Sequence, residues 1–170
     1  MSYDIPGFEL KALTFAHKRQ MMRLHDEVLA ALPDPGWYFP SDEWEFDAWL
    51  EGGEAWGYFD GDVLAGYAVL TPWHRRLGRS YAQALGEAAE NTFDFHDVLV
   101  LPRYRNRGMH TGFLKLFTDL AIAAGAHAIY ATVDPENCAS WRNFERAGYE
   151  IAAVQPAYDG RERRYYKLGL

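Results

Sequence analysis

Cysteine is almost absent: the 170 residues include one, Cys138. That excludes an internal disulfide and any zinc site made of cysteine pairs, and it fits a reducing compartment. Long apolar runs are missing as well. None approaches the ~18 residues that a membrane-spanning helix needs, and the opening MSYDIPGFELKA has no basic-then-apolar signal pattern. The expectation is a cytoplasmic protein with no membrane contact. Positive charge is in deficit, 17 Lys and Arg against 24 Asp and Glu, for a net charge of −7. A general nucleic-acid binder carries the opposite balance; a cationic partner such as an amine suits this one better. No G-x-G-x-x-G is present, which removes the phosphate loop of a Rossmann dinucleotide site. There are no repeats, low-complexity tracts or linkers, so residues 1–170 read as one domain.

What the chain does have is apolar and aromatic material, 49% and 16% of its residues, enough for a core and for the walls of a pocket. Residues 8–13 (FELKAL) alternate and read as a strand. From Phe15 the period is helical, with Met21, Leu24, Val28, Leu29 and Leu32 on one face, stopped by Pro33 and Pro35. A loop with Trp37, Tyr38 and Phe39 follows. Ser41 is the expected N-cap of a second helix, with Glu43 and Glu45 in its first turn and Gly52 and Gly53 closing it. Residues 55–59 and 63–70 read as a hairpin turning at Asp60-Gly61. Residues 71–90 are polar, with a short helix expected near 81–88. Then come a strand (91–101), a helix (109–124), a strand (128–133), a helix (137–147) closed by Gly148, and a strand pair (149–154 and 163–168) turning at Asp159-Gly160. Antiparallel hairpins combined with one β-α-β unit give an α+β fold of the mixed α/β kind.

The stretch that organises the rest is residues 91–125, in which a strand feeds a helix through a basic loop. The first amides of such a helix have no intrahelical partner and lie at the positive end of its dipole, a ready site for phosphate. The run VLVLPRYRNRGMH (98–110) resembles the acyl-CoA-binding motif of the GNAT superfamily of N-acyltransferases: an apolar V-x-V strand, Pro, then Arg/Gln-x-x-Gly-x-Gly/Ala opening a helix. Arg105 and Gly108 match its Arg and central Gly. The run TVDPENCASWRNFERAGY (132–149) resembles that family's later signature, a strand, Pro, Asn-x-x-Ser (Asn137, Ser140) and a helix ending in Gly-aromatic.

The resemblance implies a central mixed, mostly antiparallel sheet of about seven strands flanked by helices, an α-β-α sandwich. It implies acetyl-CoA as co-substrate and an amine as acceptor, with direct attack in a ternary complex, in a monomer or homodimer. The backbone of Arg105, Asn106, Arg107, Gly108, Met109, His110 and Thr111 would cradle the pyrophosphate. Amides of the Val98, Leu99, Val100 segment would polarise the thioester carbonyl. Asn137 and Ser140 would contact CoA, or cap the helix they open. His96 would be the base or else a hydrogen-bonded strand histidine, with Asp94 two residues away on the same strand face to orient or replace it, and Asp97 pointing to the opposite face.

Three positions depart from the family pattern. Asn106 stands at the first glycine position and can adopt positive φ. His110 replaces the terminal Gly/Ala, which requires its ring to point outward, where as a cation it could approach phosphate. Phe144 replaces a tyrosine proposed to protonate the departing thiolate, leaving Cys138, Tyr130, Tyr149 or solvent. Phe144 and His110 also motivate an alternative, a non-catalytic acyl-CoA-binding or sensing module.

Overall fold

The computed structural model describes residues 3–170; Met1 and Ser2, at the head of the segment read for a signal pattern, lie outside the described residues. In chain order the elements are β1 (Glu9–Ala12), α1 (Lys18–Ala30), α2 (Glu43–Glu51), β2 (Ala55–Asp60), β3 (Val63–Pro72), α3 (Tyr81–Ala84), β4 (Thr92–Val100), α4 (Met109–Ala123), β5 (Ala128–Val133), α5 (Cys138–Arg146), β6 (Glu150–Pro156) and β7 (Glu162–Gly169). The strands form one sheet in the order β1-β2-β3-β4-β5-β7-β6. Every neighbouring pair is antiparallel except β4–β5, the parallel pair joined through α4.

Strand alternation sends side chains to two cores. On one face Phe95, Ile129, Ala131 and Tyr166 pack with Phe113 and Phe117 of α4 and Phe144 of α5. On the other, Tyr67, Val69 and Leu99 pack with Met21, Leu24 and Val28 of α1 and Phe46, Trp49 and Leu50 of α2. The α-β-α sandwich and the mixed, mostly antiparallel sheet are as expected. Among the described residues no helix is long and apolar enough to cross a membrane.

Local details differ from the sequence expectation, each for a visible reason. The N-cap of α2 is Asp42, not Ser41: Asp42 and Glu45 form a reciprocal capping box, with the Asp42 amide donating to Glu45 Oε2 at 2.7 Å. The Ser41 amide donates instead to His25 Nε2 (3.1 Å), and its hydroxyl lies 3.2 Å from that of Tyr38. The β2–β3 turn is Gly61-Asp62, because Asp60 already pairs with Val63. The helix expected near 81–88 is one turn, ended before Gly86 at φ 74.

Two irregularities in β4 place the functional region. The β4–β5 ladder runs from Thr92↔Ala128 to Asp94↔Tyr130 and stops, so the strands part beyond it. Against β3, Phe95 pairs with Leu70 and Asp97 with Val69, leaving His96 as the extra residue of a bulge. The bulge cancels the alternation there. His96 packs on Trp49 of α2, and Asp97 accepts from Tyr67 of the same layer. The expectation that Asp97 points away from His96 is therefore corrected.

α4 approaches the sheet through Gly112, where a Cβ would lie 2.0 Å from the Tyr58 hydroxyl. Tyr58 is fully buried and donates to Tyr3 O at 2.7 Å. Gly112→Ala is expected to destabilise the fold by about 1–3 kcal/mol, and Tyr58→Phe in the same chain to recover part of that. Thermal melts of the two single variants and the double variant check it; additive losses would mean that the contact does not hold α4.

Candidate active site

β4 ends at Val100, and a turn through Pro102–Tyr104 leads into the loop before α4. Two residues there have left-handed backbone, Asn106 at φ 61 and Gly108 at φ 88; asparagine and glycine are the residues that adopt it at least cost. Gly108 sits at the N-cap of α4 and no side chain caps that helix. Its first amides therefore lack both a capping oxygen and an i−4 carbonyl, and the dipole adds positive character. Arg105, Asn106, Arg107, Gly108 and Thr111 are exposed around this end. The Met109 side chain is buried in the core, so only its backbone faces the loop.

His110 does not point outward. Its ring packs 5.0 Å from Phe144 and 6.1 Å from Phe95, and Nδ1 lies 3.1 Å from Asn143 Nδ2. Burial pushes its pKa down to about 4, so the ring is neutral at pH 7 and brings no charge to a phosphate. Across the loop, Asn137 stands at the N-cap of α5 but makes no side-chain cap, which leaves its amide group open to the cleft. Ser140 lies one turn on and lines the same cleft.

That cleft has a volume of about 670 Å³ and takes its walls from both faces of the sheet. The α4 end contributes Arg105 to Thr111; Asn137, Ser140 and Asn143 come from α5. The opposite side contributes Trp37, Tyr38, Phe39, Trp44, Glu45, Arg76, Tyr81 and Tyr158. Between the two sides run Phe95 to Val100, where β4 has left β5. Leu101 N–H donates to Ala65 O of β3 at 2.9 Å. By alternation the Leu99 amide also faces β3, and those of Val98 and Val100 face the gap. Of the three residues expected to polarise a carbonyl, Val98 and Val100 are oriented for it and Leu99 is not.

The titratable groups fall into two sets. Asp97 accepts hydrogen bonds from Tyr38 and from Tyr67, the latter at 3.0 Å. Burial pushes its pKa up to about 6, against the pull of those hydroxyls. A carboxylate has about four acceptor sites, so Asp97 keeps free lone pairs toward the cleft. His96 is placed differently from the base expected of it. Arg76 Nη1 lies 2.9 Å from His96 Nδ1. The same Nη1 lies 3.3 Å from Nε2, which is also 3.7 Å from Glu45 Oε1; a guanidinium only donates, so the ring accepts from Arg76 and a lone pair is taken up by it. Burial and the Arg76 charge hold the His96 pKa well below its usual value. Asp94 does not orient His96: it is fully buried, pairs with Arg76 Nε at 3.0 Å and accepts the Tyr81 amide at 3.1 Å. Arg76 stands between the two because the bulge turned His96 toward α2.

Other candidates fall away from the cleft. Tyr130 donates to Glu87 at 2.5 Å, and Lys167 pairs with the same carboxylate. Tyr149 is buried with an unpartnered hydroxyl, and Cys138 is exposed at the start of α5. Sequence reading missed Asp97 as a cleft group, because a bulge leaves no mark in a period-2 pattern. Arg76, readable with His74 and Arg75 either as a pocket rim or as a solvated charge cluster, lines the cleft; Tyr158, which sits in a hairpin loop far along the chain, was missed.

Residues 21–149 match the acetyltransferase (GNAT) family. The chain belongs to this family. An L-methionine sulfoximine/L-methionine sulfone acetyltransferase of Salmonella typhimurium is 26% identical over 114 residues, 64% of this GNAT chain and 60% of that relative's length. Among solved structures, yncA of Salmonella typhimurium with its cofactor acetyl-CoA superposes with a TM-score of 0.71 at 22% identity, covering 96% of this chain and 94% of that one. A GNAT-family acetyltransferase of Listeria monocytogenes gives a TM-score of 0.76 at 13% identity, with 98% of each chain covered. At these identities the structural likenesses speak for the GNAT fold.

Gly108→Ala is the direct probe of the loop. No atom lies within 4 Å of an added Cβ there, so the change acts only through the left-handed backbone, at about 1–2 kcal/mol. CoA affinity by calorimetry is expected to fall about tenfold, while Asn106→Gly retains it. Equal affinity for Gly108→Ala and the unaltered chain would remove the loop from CoA binding.

Proposed function

We propose that this protein is an N-acetyltransferase that moves the acetyl group of acetyl-CoA to a primary amine by direct attack in a ternary complex. The observation that carries the reading is one continuous cleft. It runs from an uncapped helix N-terminus, through parted strands, to a buried carboxylate on the opposite face. The chemistry of the α4 end fits a pyrophosphate: free amides from Asn106 to Thr111 and the exposed Arg105 and Arg107. Asn137 and Ser140 add neutral polar contacts. The bound thioester supplies an activated acyl group. The chain's part is to hold it, to receive charge at the carbonyl oxygen through the Val98 and Val100 amides, and to take a proton from the amine.

Asp97 takes that proton, directly or through one water. It lines the cleft, keeps free acceptor sites, and its pKa of about 6 leaves it ionised at pH 7. His96 and Asp94 then hold Arg76 rather than act as bases. The acceptor wall is aromatic, with Phe39 and Trp44 exposed at its mouth, and it carries Glu45 and Asp97. This suits a cationic amine with an apolar portion. The sulfoximine and sulfone acceptors named for the Salmonella typhimurium relative are amino-acid analogues of that kind. The lone cysteine suits a cytoplasmic setting.

Incubation with acetyl-CoA and a panel of amino-acid-like amines, read as free thiol release, tests the activity. CoA binding without turnover on any amine would turn the reading to a sensing module. Asp97→Asn is expected to lower kcat/KM by about 100-fold or more and to abolish an acidic limb near pH 6. His96→Ala is expected to stay within about tenfold. Stability gives an independent check. The Asp97 pKa is raised on folding, so its contribution is present below the ordinary aspartate range and lost as pH rises through about 6. Above pH 6, Asp97→Asn is expected to melt no lower than the unaltered chain.

A further inference from the structure

The cleft has a base but no hydroxyl where the family resemblance puts the acid. Phe144 is enclosed by rings: Phe95 and Tyr149 at 5.2 Å, His110 at 5.0 Å and Tyr166 stacked at 6.0 Å. Tyr130, Tyr149 and Cys138 lie off the cleft, and Tyr38 already donates to Asp97.

Of the other tyrosines that line the cleft, Tyr81 is buried and Tyr104 donates to Asp60, whereas Tyr158 stands at the gap. Tyr158 lies in the loop between β6 and β7, with its ring 5.6 Å from Phe39 and stacked 6.4 Å from Tyr81. Its oxygen is 3.3 Å from Thr132 Oγ1. Thr132 is two residues beyond Tyr130, the last β5 residue paired with β4. It shares the Tyr130 side of the strand by alternation. The Tyr158 hydroxyl therefore stands at the β5 lip of the gap, on the face where Asp97 stands at the β4 lip. Resting on the acetyl-transfer reading above, we propose that Tyr158 gives the departing CoA sulfur its proton, from the wall opposite the one that carries Phe144.

The step balances. The amine nitrogen bonds to the acyl carbon, the carbon–sulfur bond breaks, and its electron pair stays on sulfur. The Tyr158 proton goes to that sulfur. The tyrosinate regains, through cleft water, the proton that Asp97 took from the amine. Thr132 can act as donor to the Tyr158 oxygen, which leaves the phenol proton free for the sulfur. The Tyr158 ring is half exposed, but desolvation of its hydroxyl end raises the pKa, with the Asp159 and Asp97 charges adding to it and Thr132 and Arg163 opposing it, so the phenol is protonated at neutral pH.

Tyr158→Phe keeps the ring, and the residue is 54% exposed on a loop, so its melt and its CoA affinity are expected to match those of the unaltered chain. Two measurements decide. The thiol of bound CoA, titrated by the ultraviolet absorbance of its thiolate, is expected to rise in pKa by about one unit when the donor is removed. An unchanged titration overturns the proposal. With acetyl-CoA and an accepted amine, kcat is expected to fall about 10- to 100-fold at constant KM for acetyl-CoA; a kcat within twofold also overturns it. Absence of turnover in the unaltered protein would sink the acetyl-transfer reading, whereas the thiol titration would still report whether Tyr158 meets the sulfur.

Discussion

Between Thr92 and Asp94 β4 pairs with β5, and beyond Asp94 it does not. Most of the site depends on that interrupted ladder. A continuous sheet would wall one core off from the other, since strand amides and carbonyls would all be paired. The parting leaves the Val98 and Val100 amides without a strand partner and opens a passage between the faces. The basic loop and the uncapped N-terminus of α4 lie at one end of that passage, the aromatic wall at the other. The same parting brings Asp97 and the Thr132–Tyr158 pair to opposite lips.

Charge inside this passage is handled by pairing rather than by solvent. Asp97 is held by two tyrosine hydroxyls, and hydrogen bonds to a charged group are worth about 1.5–3 kcal/mol each. Asp94 is neutralised by Arg76, whose other arm is occupied by His96. Desolvation still wins in both carboxylates: Asp94 is pushed up to about 7 and Asp97 to about 6. Asp94, however, has no path to the cleft, whereas Asp97 lines it. Two similarly perturbed carboxylates three residues apart thus have different surroundings, one paired with Arg76 and one lining the cleft.

The aromatic wall is held by a second buried charge. Arg163 is 2% exposed and donates to the carbonyls of Trp37 and Gly36, both at 2.9 Å, and to Asp159 at 2.5 Å. Its Nη1 also lies 3.6 Å from Asp134, whose other oxygen accepts the Glu136 amide at 2.9 Å. One guanidinium therefore ties the aromatic loop, the Tyr158 loop and the turn that leads to Asn137. A Cβ at Gly36 would meet only the exposed guanidinium of Arg161, a flexible end that can move aside.

The sequence by itself determined the elements whose cause is local. The β4-loop-α4 unit, the positive φ of Asn106 and Gly108, the start of α5 at Asn137 and the family all follow from neighbours within a few residues. What tertiary structure decided is the chemistry at the passage. The bulge at His96 exists because β3 and β4 differ by one residue in length between their pairings, and neither strand records this alone. It sets His96 beside Arg76 and Asp97 beside Tyr38 and Tyr67. The ring of His110 turns inward because α5 offers Asn143 and Phe144. Arg76 reaches the gap from 20 residues before His96, and Tyr158 from 26 residues after Thr132. A hydrogen-bond partner set by long-range packing cannot be read from spacing, and it is the partner that decides which of these groups keeps a lone pair or a proton to give.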